Sequence, residues 1–331
     1  MTLPGTLTVA AAFVIVALAT TGTAAAQRAE PPPVSCITDN PVDPLGPGFL
    51  FDRGGFTTID HPDAVLETAP YGINNRGQIV GGYDTVGFVV HGFLLDRGRY
   101  TTIDFPGALR TLALRINAGS QILGNYEDAR GGCHGFLLRK GRFTTIDFPG
   151  APTQVLGLND RGQAVGTYID AQGAFHGFRF DRGVYRTIDP PGALQTSAVD
   201  LNNSGETIGF FLDASGTTRA YLRKEKGALT TLAFPGATMT VPFGINNHGH
   251  VVGFYLDADV VRHGFLYRKG VFTRIDHPLG ADDSQAHDVN DRGQIAGLYE
   301  RGRAPSSAGG YGSVQPLLAT WSGSSGGASI R

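Results

Sequence analysis

The chain has 331 residues, 48 of them Gly, and 27 Lys+Arg against 29 Asp+Glu leave a formal net charge of −2. That balance excludes a globally basic nucleic-acid binder and an acidic solvating tail, and two Cys exclude a disulfide-stapled miniprotein. The Gly follow no G-X-Y period, which excludes collagen, and the length allows one large or two ordinary domains with a substantial core.

Residues 1–26 read as a secretory signal. An apolar stretch from Leu7 to Leu18 precedes small residues ending Ala24-Ala25-Ala26, so cleavage is expected before Gln27. The alternative is a membrane anchor, for which the stretch falls short of the ~20 residues a spanning helix needs. Export predicts a secreted or periplasmic protein with no membrane segment after cleavage. Cys36 and Cys133 would then sit in an oxidising compartment, where a bridge is open to them. Residues 27–47 are Pro-rich and read as a linker.

From Gly48 to Glu300 the chain repeats about every 43 residues, and three markers carry the period. One is the start of an aromatic strand, at Gly48-Phe49, Gly92-Phe93, Gly135-Phe136, Gly177-Phe178, Ala220-Tyr221 and Gly264-Phe265. Another is an Asn after an aliphatic residue, at Asn74, Asn117, Asn159, Asn202, Asn246 and Asn290. The last is Gly81, Gly124, Gly166, Gly209, Gly253 and Gly297.

Within one unit, four short β-like runs follow one another: Leu112 to Ile116, Gln121 to Tyr126, Gly135 to Leu138, and Phe143 to Asp147. Tight turns such as Asn74-Asn75-Arg76-Gly77 join the first two, with Asn bonding its own backbone and Gly supplying positive φ. No segment holds a 3.6-residue apolar period, so helix is nearly absent. Four antiparallel strands per unit predict a propeller blade. The first copy begins at the third strand and the last ends after the second, so the termini complete one blade between them and remove the open sheet edges. The expected fold is an all-β, six-bladed propeller over residues 48–300, closed by pairing of N- and C-terminal strands. A seven-bladed alternative would recruit the run from Pro316 to Trp321 in the Gly/Ser-rich tail, residues 301–331.

The motifs His91-Gly92-Phe93-Leu94, His134-Gly135-Phe136-Leu137 and His263-Gly264-Phe265-Leu266, with Ile73-Asn74-Asn75-Arg76-Gly77-Gln78-Ile79-Val80-Gly81, resemble the HAF-type extracellular repeat family. Gly stands where that family's triplet usually has Ala. The resemblance implies an exported β-repeat protein and carries no catalytic residue set.

In a propeller the long connections share the face that is the default ligand site. Tyr83, Tyr126, Tyr168, Tyr255 and Tyr299 follow the second strand there and could stack on sugars, or pack between blades. His91, His134, His176 and His263 precede strand starts; blade symmetry holds them apart, so they read as caps on the loop rather than as zinc ligands. Asp60, Asp104, Asp147, Asp189 and Asp276 end the fourth strand, where they are expected to bond free N–H groups of the following turn; no calcium loop is present, and no metal or cofactor is expected. Catalysis needs asymmetry. Two residues before each repeated Asn, Gly72, Gly157 and Gly244 contrast with Arg115, Asp200 and Asp288, and with His287 these could form a paired-carboxylate site if they face the channel. The leading expectation is a non-enzymatic, monomeric propeller that binds a glycan or an extracellular protein on its long-loop face, with no nucleic-acid partner. The alternatives are a hydrolase or lyase acting on an extracellular polymer and a structural surface protein.

Overall fold

The computed structural model describes residues 46–300 except 88, 226, 281 and 282. The expectations for the signal segment, Cys36, most of the linker and the tail lie outside the described residues. Every described element is a strand, 24 in all.

Blade 1 contains β3 (Thr68–Ile73), β4 (Ile79–Thr85), β5 (Val89–Asp96) and β6 (Arg99–Ile103); β1 (Gly48–Asp52) and β2 (Gly55–Ile59) precede it. Blade 2 is β7 (Arg110–Ile116), β8 (Ile122–Glu127), β9 (Cys133–Arg139) and β10 (Arg142–Ile146). Blade 3 is β11 (Thr153–Leu158), β12 (Ala164–Ile169), β13 (Phe175–Asp181) and β14 (Val184–Thr187). Blade 4 is β15 (Gln195–Leu201), β16 (Thr207–Leu212), β17 (Thr218–Arg223) and β18 (Leu229–Leu232). Blade 5 is β19 (Met239–Ile245), β20 (Val251–Leu256), β21 (Arg262–Arg268) and β22 (Val271–Arg274). Blade 6 joins β23 (Ser284–Val289) and β24 (Ile295–Tyr299) to β1 and β2, in the order β2-β1-β24-β23.

The six four-stranded antiparallel sheets form the predicted propeller, and closure occurs where the half-copies meet: Phe49 opposes Gly297 and Phe51 opposes Ile295. The apolar core lies between neighbouring blades. Ile59, Leu50 and Ala296 of blade 6, for example, pack against Ile73, Ile79 and Phe93 of blade 1.

A bulge interrupts every innermost strand at one place. The ladder skips Tyr71, Leu114, Leu156, Val199, Phe243 and His287, one per blade, and these six side chains meet at the axis as a largely apolar plug. The bulge explains the repeated second-strand Gly. A Cβ on Gly166 would stand 2.0 Å from the Gln154 carbonyl oxygen and 2.9 Å from the Phe178 ring, closer than any side chain can approach.

The repeated Asn closes the ring with hydrogen bonds. Each Asn Oδ1 accepts two backbone N–H groups of its own turn, as Asn74 does from Arg76 and Gln78. Each Nδ2 donates to the carbonyl of the next blade's Asn, from Asn74 to Asn117 and round to Asn290, which donates back to Asn74. The Asn series is therefore turn chemistry and blade-to-blade bonding together.

Candidate functional site

The bulge decides what lies one layer above the plug. The residues that follow it alternate Gly72, Arg115, Gly157, Asp200, Gly244, Asp288 around the axis. The glycines make the room: a Cβ on Gly157 would sit 2.7 Å from Asp200 Oδ1, and one on Gly244 would sit 2.8 Å from Asp288 Oδ1. Arg115, Asp200 and Asp288 thus share one polar layer, with His287 in the plug beneath.

Arg115 crosses the channel. Its Nη1 donates to the carbonyls of Tyr71 (2.7 Å) and Leu114 (2.9 Å), and its Nη2 reaches Phe243 O of blade 5 at 2.6 Å. Asp200 Oδ2 accepts from Ile245 N of the next blade at 3.0 Å. Asp288 accepts from Ile73 N of blade 1 and from Val289 N, both at 2.8 Å. Arg115 Nε and Asp200 Oδ1 lie 3.7 Å apart, too far for a direct hydrogen bond, and neither has a hydrogen-bond partner among the described residues.

Burial sets the protonation of this layer. It pushes the Asp200 carboxyl up to about 7, against the pull of Arg115 and with help from Asp288. Burial also raises Asp288, again with Arg115 opposing. It lowers His287 to about 4, so the neutral ring donates through Nδ1 to Pro70 O at 3.0 Å. The cluster therefore braces blades 2, 4 and 6 to blades 5 and 1. Above it a funnel opens on the tight-turn face, ringed by Asn75, Asp160, Asn203, Asn247 and Asp291. Its volume of about 60 Å³ takes a few waters and not a sugar ring.

On the long-loop face the tyrosines follow the packing reading and not the sugar-stacking one, and the Asp series departs from the expectation. The tyrosines turn inward rather than outward to a ligand. Tyr126 lies 3.7 Å from Phe105, Tyr168 3.7 Å from Phe148, Tyr255 3.7 Å from Phe234, Tyr83 3.6 Å from His61 and Tyr299 3.7 Å from His277, each stacked on the ring that leaves the preceding blade. Four of them also contact the blade's own His, and three hydroxyls bond a Thr of the fourth strand. Such rings join blades, each stack being worth ~0.5–1.5 kcal/mol beyond its buried area.

The strand-ending Asp, in turn, does not bond the turn that follows. Asp147 Oδ1 accepts from Gly135 N and its Oδ2 holds His134 Nδ1 at 2.7 Å, while the Phe148 N–H goes to Thr153 Oγ1. His134 Nε2 reaches Asp128, which also binds two N–H groups of the loop between β8 and β9. His176 and His263 repeat this Asp-His-Asp arrangement, and Arg219 with Asp213 replaces it in blade 4. The His do cap the loops. Among the described residues no three His, Cys, Asp or Glu converge as a metal site. Cys133 is buried and is not a free thiol.

One ligand-sized space was missed from the sequence. Between blades 2 and 3 on the tight-turn face lies a groove of about 490 Å³, lined by Arg139, Lys140, Arg161 and Arg182 over Leu137 and Phe180. The signal for it was a departure from the repeat. The hairpins Asp52-Arg53-Gly54, Asp96-Arg97-Gly98 and Asp181-Arg182-Gly183 begin with Asp, but blade 2 reads Arg139-Lys140-Gly141, and blades 4 and 5 likewise begin with Lys224 and Arg268. In the first three, that Asp receives a Gln side chain, as Asp96 receives Gln78. In blade 2 no Asp is there to receive Gln121, which lines the groove instead.

No protein-family profile and no curated protein sequence matches the chain. Among solved structures it is similar to a putative TolB from Agrobacterium tumefaciens, at TM-score 0.59 and 12% identity over 77% of this chain and 98% of that one. TolB from Acinetobacter baumannii gives 0.49 and 14%, covering 75% of this chain and 57% of that one. A six-bladed propeller lectin from Aleuria aurantia gives 0.42 and 11%, covering 67% and 83%. At these identities the likeness is one of fold: the chain is a six-bladed β-propeller.

Proposed function

We propose that the chain is an exported repeat propeller that binds a glycan or an extracellular protein and performs no catalysis. The observation that carries this reading is the contrast between the two spaces on the tight-turn face. The axial cluster is engaged in bracing blades beneath a water-sized funnel, while the groove between blades 2 and 3 is large enough for a ligand and open. The reading moves the binding surface from the long-loop face to the tight-turn face. The His-Gly-Phe-Leu and Asn-Asn-Arg-Gly motifs support membership of the HAF-type family, and the sequence of residues 1–26 supports export.

The test is thermal unfolding of the protein against a panel of polysaccharides. A bound ligand at ~100 times its dissociation constant adds about 2.7 kcal/mol of stability. A shift with one sugar class is the expected result; no shift with any of them turns the reading toward a protein partner. One observation favours the hydrolase or lyase alternative, namely a buried carboxyl, Asp200, raised to about 7 beside Asp288. That alternative requires polymer cleavage that Asp288→Asn abolishes in a variant that still folds.

A further inference from the structure

We propose that the groove between blades 2 and 3 binds an anionic polysaccharide, with Arg139, Lys140, Arg161 and Arg182 holding its carboxylate or sulfate groups. The proposal rests on the binding reading above and names the ligand class.

The charge is local. The net charge of −2 conceals a basic tight-turn face, where Arg53, Arg97, Lys140, Arg182 and Lys269 tip the hairpins at positive φ. In blades 6, 1 and 3 an Asp at the hairpin start offsets that tip, whereas Arg139 stands there in blade 2, Lys224 in blade 4 and Arg268 in blade 5. Arg139, Lys140 and Arg161 are exposed and pair with no carboxylate among the described residues. Asp160 is the one acid among the described residues that line the groove, and both its oxygens are occupied, Oδ1 by Ala118 N and Oδ2 by the Asn203 amide, each at 2.7 Å. Arg182 lies 4.0 Å from Asp181 of its own hairpin, so three unpaired cations and this one face a carboxylate that is already bonded. The guanidinium fork matches carboxylate and sulfate oxygens two at a time.

The shape selects among anionic partners. A flat anionic lipid surface would meet the hairpin tips of all blades alike and would need no recess. Single-stranded nucleic acid would need free aromatic faces for its bases. Phe180 is the sole ring among the described residues that line the groove, and it is half-buried against Tyr185 at 4.8 Å. Leu137 and Phe180 instead form an apolar floor beneath the cationic rim, as a sugar chain with apolar C–H faces and peripheral acid groups requires.

The experiment measures binding of the full chain, expressed from Met1, to polygalacturonate, dextran sulfate and neutral dextran of matched length. It is repeated at two salt concentrations, with duplex DNA and vesicles of 3:1 phosphatidylcholine and phosphatidylglycerol as further probes. Two triple variants are compared: Arg139→Gln/Arg161→Gln/Arg182→Gln in the groove, and Arg53→Gln/Arg97→Gln/Lys269→Gln on the same face outside it. Binding to at least one acidic polymer and not to neutral dextran, weakened by salt, is expected. The groove variant should lose tenfold or more and the control less than threefold. Equal losses in both variants would reduce the effect to diffuse charge and overturn the groove. Tighter binding to DNA or vesicles would overturn the ligand class. Binding of neutral dextran alone would sink this proposal and leave the glycan reading standing, whereas binding of none of the polymers would overturn this proposal and turn the binding reading toward a protein partner.

Discussion

Arg115 is placed where one cation serves several acceptors at once. It satisfies three backbone carbonyls and is the cation between Asp200 and Asp288, so its removal leaves two buried carboxyls without a positive partner. Arg115→Met is expected to cost ~3–5 kcal/mol in urea unfolding, the usual penalty for breaking a buried pair from one side. A cost below ~1 kcal/mol would show that the guanidinium does not brace the axis. A smaller effect is expected at Thr196, whose buried hydroxyl has no hydrogen-bond partner among the described residues. In the other blades the matching hydroxyl accepts a backbone N–H from His61, Phe105, Phe148, Phe234 or His277, but blade 4 places Pro190 there, which has none. Pro190→Phe restores a hydrogen bond of ~1 kcal/mol and a ring stack of ~0.5–1.5 kcal/mol on Phe211. The lost rigidity of Pro costs ~0.4–1 kcal/mol. A net gain of about 1 kcal/mol is expected, and a loss would mean the turn requires Pro. At this scale the sequence exposes which residues break the repeat, and Arg115, Asp200 and Asp288 do converge. It does not show that backbone groups occupy them, because the partners other than the adjacent Leu114 and Val289 come from other blades.

The strands were readable because every blade repeats the same turn chemistry. Runs expected at Leu112 to Ile116, Gln121 to Tyr126, Gly135 to Leu138 and Phe143 to Asp147 appear as β7, β8, β9 and β10 with ends shifted by a residue or two. The bulge was not readable. It adds one residue without changing composition, yet it decides that Leu114 fills the plug while Arg115 enters the polar layer. It also gives the second-strand Gly a steric role distinct from the turn glycines. Gly166→Ala must part β11 from β12 and is expected to cost ~3 kcal/mol as overpacking. Gly54→Ala meets open space and pays only for positive φ, ~1–2 kcal/mol. Chemical denaturation of the two variants separates the roles, and equal costs would mean that the bulged strand yields to the extra methyl.

Closure of the whole ring followed from counting half-copies, but the distribution of charge over its two faces did not, since net charge sums both. The long-loop face carries the Asp-His-Asp sets, and these give the whole molecule a pH dependence whose sign can be worked out. Burial lowers the pKa of His134 and His176, but bonds to Asp147 and Asp128, and to Asp189 and Asp170, outweigh it and the net shift is upward. A raised histidine contributes stability that is fully present below its unfolded value near 6.5 and lost as pH rises through the folded value. Asp200, raised to about 7, acts in the same direction: its contribution is present below 3.8 and lost as pH climbs to about 7. Two effects oppose these on the acid side. His287, lowered to about 4, loses stability as pH falls from 6.5 toward 4. Asp128, Asp170 and Asp257, lowered chiefly by loop N–H bonds, lose theirs as pH falls below 3.8. Burial also raises Asp288 and takes Glu67 up to about 8, which adds to the decline toward neutral pH, so the melting temperature should peak near pH 4 to 5 and fall on both sides. His134→Gln/His176→Gln should flatten the decline above pH 6.5 and also weaken the acid limb below 3.8, since both histidines help hold Asp128 and Asp170 down, whereas Asp200→Asn should flatten the slope between pH 4 and 7 and leave the acid limb in place. A neutral limb unchanged in the histidine variant would show that the Asp-His-Asp sets bind no linked proton and hold their loops by neutral hydrogen bonds alone.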